Sequence, residues 1–94
     1  MGGFNAYPAE IENILCDHPA ISQVAVIGIA DERMGEVAKA FVVLKPNHEL
    51  QEDTLAQWSK ENMANYKVPK EIKFIDELPT NAAGKVMKFL LKEI

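Results

Sequence analysis

The sequence has 94 residues, 48% of them hydrophobic and 26% charged, which is the balance of a folded domain and not of a disordered tail. A chain of this length buries only somewhat more than about 60% of the surface it exposes when unfolded, so it supports one core and one domain. Ten Lys and Arg against fourteen Asp and Glu leave a net charge of −4, which argues against a dedicated nucleic-acid binder. A local basic site for one small phosphorylated ligand remains open. With Cys16 as the single cysteine no internal disulfide can form, and a reducing compartment is expected. No apolar run approaches the roughly 18 residues of a membrane span, and the N-terminus lacks the basic-then-apolar pattern of a signal peptide. A soluble, cytoplasmic domain is the expectation.

Met1-Gly2-Gly3-Phe4-Asn5 opens the chain as a turn or loop that another backbone or a ligand could approach closely. Pro8 suits the first turn of a helix, Glu10 and Glu12 complement its positive end, and Ile11, Ile14 and Leu15 share one face. His18-Pro19 stops it. Ile21 to Ile29 is rich in β-branched residues and reads as a strand. Asp31 to Glu36 reads as a polar connection, and Val37 to Leu44 as a second strand able to pair antiparallel with the first. Glu52 to Ala64 reads as a helix burying Leu55, Trp58 and Met63, with Ser59 and Asn62 interrupting the stripe. Lys70 to Ile75 alternates charged and apolar residues as a half-exposed third strand, and Leu78 to Gly84 is a loop of small residues. Val86 to Ile94 reads as a last helix, with Val86, Phe89, Leu90 and Ile94 at helical spacing. The expected fold is α+β: a small three-stranded, mainly antiparallel sheet flanked by helices, with no internal repeat.

Two loops could carry chemistry. In Pro79-Thr80-Asn81-Ala82-Ala83-Gly84-Lys85, proline pins the entry and Gly84 turns the backbone just before a lysine. If Lys85 opens the last helix, it adds positive charge to an end already positive, which suits an arriving anion. A full phosphate-cradling loop is absent, because Pro79 and Val86 stand where that pattern needs glycine and a hydroxyl residue. Alone, Gly84-Lys85 is also what a solvated surface turn contains. Gly2-Gly3 could let a ligand lie against bare backbone, or could form a loose chain end. Cys16 reads as a small core or boundary residue, Trp58 as core, and Glu10/Glu12 and Glu32/Glu36 as solvated charge. One cysteine and two scattered histidines, His18 and His48, make no zinc site, so no metal site is expected.

Together these segments resemble a known family. Gly2-Gly3-Phe4-Asn5-Ala6-Tyr7-Pro8-Ala9-Glu10-Ile11-Glu12 is similar to the "GxNVYPxEIE" signature opening the mobile C-terminal domain of adenylate-forming enzymes, the superfamily of acyl-CoA synthetases, peptide adenylation domains and firefly luciferase. His18 to Ile21, Asp31 to Glu36, Lys39 to Val43 and Tyr66 to Pro69 continue the match in order, and Pro79 to Lys85 resembles its "PxxxxGK" motif. The runs "GGFNAYPAEIE" and "YKVPKEIKFIDELP" look most like bacterial fatty- or medium-chain acyl-CoA ligases. Three positions depart from the pattern. Ala83 replaces a usual Thr or Ser, Met34 a common Trp, and Phe89 a frequent Arg, while Lys88 keeps the first basic position.

The resemblance implies a large N-terminal domain, outside these residues, that binds ATP with Mg2+ and a carboxylic acid. It implies that Lys85 reaches that site while acyl-adenylate forms. After rotation, Gly2, Gly3, Phe4 and Asn5 would lie beside the tunnel through which CoA delivers its thiol. Pro79 and Gly84 would position the lysine. The family hinge would lie just upstream of Met1, and a domain cut there should be inactive alone, holding no cofactor itself. The partners implied are the N-terminal domain, ATP, CoA and the acid. The alternative is a stand-alone interaction module that kept the fold without the chemistry.

Overall fold

The computed structural model describes residues 8–33, 35–63 and 68–91. The glycine-loop residues Gly2 to Asn5, as well as Met34, Tyr66, Lys67 and Ile94, lie outside them. Six elements follow in order: α1 (Pro8–Leu15), β1 (Ile21–Asp31), β2 (Gly35–Leu44), α2 (Glu52–Asn62), β3 (Glu71–Phe74) and α3 (Lys88–Leu91).

The sheet has the order β1-β2-β3. β1 and β2 form a long antiparallel hairpin paired from Ile21↔Leu44 to Asp31↔Gly35, so the expected six-residue connection is shorter than its polarity suggested. Ladder hydrogen bonds use only the backbone, and polar residues at the outer end of a hairpin do not stop it. β3 runs parallel to β2, Lys39↔Glu71 to Val42↔Phe74, and this requires the crossover that contains α2. The expected α+β sheet is therefore present, with its longer pairing antiparallel and its shorter one parallel.

Both faces of the sheet are covered. On one, Ile11 and Leu15 of α1 and Leu55 of α2 pack with Ile21, Val26, Ala38, Ala40, Val42 and Ile72. On the other, Ala25, Ile27 and Phe41 pack with Leu78 and Leu91 from the C-terminal segment, joined by Val86. Two covered faces explain the run from Val24 to Ile29 in β1, which holds no polar side chain. The register shifts between Ile21 and Gln23, and this extra residue turns Ile21 onto the same face as Val26.

Several side chains differ from their sequence expectation. Ser59 is fully buried beside Leu55, while Trp58 and Met63 are half-buried. The Ser59 hydroxyl donates to the Leu55 carbonyl at 2.8 Å, so its polarity is satisfied within the helix. Of the two places expected for Cys16, core or boundary, the core is excluded, because the residue is exposed. Its thiol pKa is raised by partial burial first and then by the Glu12 and Asp17 carboxylates, against a hydrogen bond from Val24. That leaves it a protonated, poor nucleophile. Phe89 is 67% exposed, and Leu91, not Phe89, is the fully buried anchor of the last helix.

Candidate functional site: the lysine hairpin

Lys85 does not open a helix. Thr80 and Val86 form an antiparallel bridge, and Met87 N–H donates to the Pro79 carbonyl at 2.8 Å, so the chain stays extended until α3 begins at Lys88. Two hydrogen-bonded flanks hold the chain out of helical geometry there. The helix-dipole argument for Lys85 therefore falls away. What remains is a lysine at the end of a tight hairpin.

The hairpin is organised by one residue the sequence reading did not single out. Asn81 N–H donates to the Lys85 carbonyl at 3.0 Å, and Gly84 N–H donates to the Asn81 carbonyl at 2.9 Å. The Asn81 side-chain oxygen accepts from Ala83 N–H at 2.9 Å and from Lys85 N–H at 3.0 Å. Gly84 has φ +82°, the left-handed residue that closes a three-residue hairpin loop after a type I turn. The signal was present as Asn at the first position of a turn with Gly at its fourth, a pairing that favours this turn type. Pro79 lies at the foot of the stem and Gly84 at the turn.

Below the turn, Leu78, Val86 and Leu91 set the stem into the core beneath Phe41. Residues 80–85 are exposed, Lys85 included. The geometry offers an exposed lysine on a backbone fixed by hydrogen bonds. Such a group can meet an anion that lies on another body but cannot enclose one by itself.

Glu12 is not solvated charge. Its carboxylate oxygen Oε2 accepts from Val26 N–H at 2.7 Å and meets Lys88 Nζ at 2.8 Å. Among the described residues there is no group of three or more His, Cys, Asp and Glu able to hold a metal ion. Nor is any helix there long and apolar enough to cross a membrane.

Residues 10–85 match the family described as the AMP-binding enzyme C-terminal domain. The chain belongs to that family. This AMP-binding enzyme C-terminal domain is 53% identical over 92 residues to a 3-[(3aS,4S,7aS)-7a-methyl-1,5-dioxo-octahydro-1H-inden-4-yl]propanoyl:CoA ligase of Rhodococcus jostii (strain RHA1), covering 98% of this chain and 18% of that one. It is 47% identical over 87 residues to a feruloyl-CoA synthase of an Amycolatopsis species, covering 93% and 18%. Among solved structures, the Mycobacterium tuberculosis fatty acyl CoA synthetase superposes with a TM-score of 0.87 at 43% identity, over 98% of this chain and 18% of that one. The domain thus spans 18% of the length of these relatives. The resemblance to the C-terminal domains of acyl-CoA ligases holds along nearly its whole length.

Proposed function

We propose that this domain is the mobile C-terminal part of an ATP-dependent, AMP-forming carboxylic acid–CoA ligase. A large N-terminal domain would hold ATP, its Mg2+ and the acid. In the first half-reaction the carboxylate oxygen attacks the α-phosphorus of ATP, acyl-adenylate forms and pyrophosphate leaves. Lys85 is assigned to bridge the α-phosphate oxygens and the carboxylate, stabilising charge that builds at phosphorus. In the second, the domain rotates, Lys85 withdraws, and Gly2, Gly3, Phe4 and Asn5 border the pantetheine tunnel. The CoA thiol gives up its proton, its sulfur attacks the adenylate carbonyl and AMP leaves. Glycine suits that surface because a side chain would obstruct the thiol's path.

The observation that carries this reading is the exposed Lys85 on a hairpin set by Asn81 and Gly84. The relatives' names carry chemically different acyl groups, a bicyclic propanoyl, a feruloyl and a fatty acyl. That diversity supports assigning acid choice to the N-terminal domain.

The test is pyrophosphate exchange by the full-length protein across a panel of carboxylic acids. Lys85→Ala should lower acid-dependent exchange by about 100- to 1,000-fold while sparing thioester formation from supplied acyl-adenylate. Equal loss in both half-reactions would overturn the lysine's assignment. Gly3→Leu should do the reverse, slowing the CoA step more than exchange, and equal slowing would make that loop structural. The isolated domain should show no turnover. A folded full-length protein giving no exchange with any acid would favour the stand-alone interaction module.

A further inference from the structure

The same Glu12 oxygen that receives Val26 N–H also pairs with Lys88, and this joins three parts of the fold at one point. β1 is an edge strand, and Val26 N–H points outward from it. α1 packs against β1 and reaches that edge through Glu12, and Lys88 is the first residue of α3, just past the hairpin that carries Lys85. The hairpin exit is therefore tied at two places, by Leu91 in the core and by Lys88 on the Glu12 carboxylate.

Four residues of α3 are described, Lys88–Leu91, far fewer than the roughly 12–15 that an isolated helix needs even for marginal stability. Its course must come from tertiary anchors. The Lys88 side chain is 41% exposed and that of Glu12 20%, so the pair contributes at most about 1 kcal/mol to stability. Its value lies in direction. The hydrogen bond to Val26 holds the carboxylate on the sheet, and the carboxylate fixes where the lysine stem leaves it.

We propose that Glu12 and Lys88 are positioning residues for the adenylation step: they orient the hairpin so that Lys85 meets the reacting phosphate. The inference rests on the role proposed for Lys85 and extends it to residues that never touch the substrate. It belongs to one half-reaction only, because Lys85 faces the site only while adenylate forms.

The test uses the full-length protein with Lys88→Gln, Lys88→Arg and Glu12→Gln, alongside Lys85→Ala. Lys88→Gln should lower kcat for pyrophosphate exchange roughly ten- to a hundredfold, the scale of a small misplacement of a reacting group. KM for ATP and acid, and thioester formation from supplied acyl-adenylate, should stay within about twofold. Lys88→Arg should restore most of the exchange. Glu12→Gln keeps an oxygen for Val26 N–H but loses the charge, so it should reproduce the selective loss with an unchanged melting temperature. Unaltered exchange in Lys88→Gln or Glu12→Gln would overturn the inference. So would parallel loss of both half-reactions with a lower melting temperature, or a folded Lys88→Arg that fails to rescue. If Lys88→Gln does not fold, Glu12→Gln and Lys88→Arg decide alone. Normal exchange in Lys85→Ala would instead sink the catalytic assignment itself.

Discussion

At Gly84, φ of +82° lies where L side chains are strained, yet a Cβ built there meets no atom within 4 Å. Replacement by alanine therefore tests the backbone conformation alone, free of steric clash. Gly84→Ala should cost the hairpin about 1–2 kcal/mol, read as faster hydrogen exchange at the Lys85 amide, with Gly84→Asn costing less. Asn81 explains why so small a loop can hold its shape. One side-chain oxygen accepts two backbone donors, from Ala83 and Lys85. The lysine is held by its main chain, and the residue is exposed.

Elements meet edge-on as well as face-on. Glu12 on α1 and Cys16 one turn later, just past its end, receive the Val26 and Val24 N–H groups of β1. The match is geometric: four helical residues rise about 6 Å, close to the roughly 6.6–6.8 Å between alternate strand residues. Helix side chains thereby cover an edge that would otherwise offer unpaired donors to another chain. Just beyond α1, His18 Nδ1 accepts from Ala20 N–H at 3.1 Å, and its ring meets Trp58 of α2 edge-on at 5.1 Å. Burial lowers the His18 pKa below its usual 6.5. Protonation also removes the acceptor for Ala20. Asp53 and Glu61 line the same open cleft.

The sign of the His18 effect follows from linkage. With the folded pKa depressed, the unfolded chain binds more protons as pH falls past the unfolded pKa, so this stability is present above it and is lost towards and through the folded pKa. Melting temperature should fall between about pH 7 and pH 5 more steeply in wild type than in His18→Gln. Parallel curves would show that His18 contributes nothing.

At the scale of the whole molecule, a single sheet separates two packed layers. α1 and α2 cover one face, and the lysine hairpin stem with α3 covers the other. The hairpin stem is thus anchored in a core layer through Leu78 and Val86, while residues 80–85 are exposed. Phe41, fully buried under Leu78 and Leu91, supports that layer from the central strand. Phe41→Ala should destabilise the domain by about 3–5 kcal/mol, a large share of what a small domain possesses. Because both layers share β2, urea unfolding should show the α1 and α2 face lost together with the hairpin face. Separate transitions would mean that the two layers fold independently.

Sequence alone determined whatever depends on neighbours along the chain. Pro8 with Ile11 and Leu15 specifies a helix start and its buried stripe, the β-branched run from Ile21 specifies β1, and Gly84 specifies a turn. The ordered motifs from Tyr7-Pro8 to Gly84-Lys85 carried the family. Only the tertiary structure decided the direction of β3, the shift that turns Ile21 inward, the burial of Ser59, and the place of Lys85 on a hairpin stem instead of a helix. Val86 has the spacing of a helical residue but spends its hydrogen-bonding in a bridge to Thr80, and Glu12 reads as surface charge until β1 and α3 arrive beside it. Each of these outcomes turns on a partner remote in sequence, or on a competition between local periodicity and a cross-chain hydrogen bond. Periodicity records which face a residue prefers. It does not record what will be waiting there.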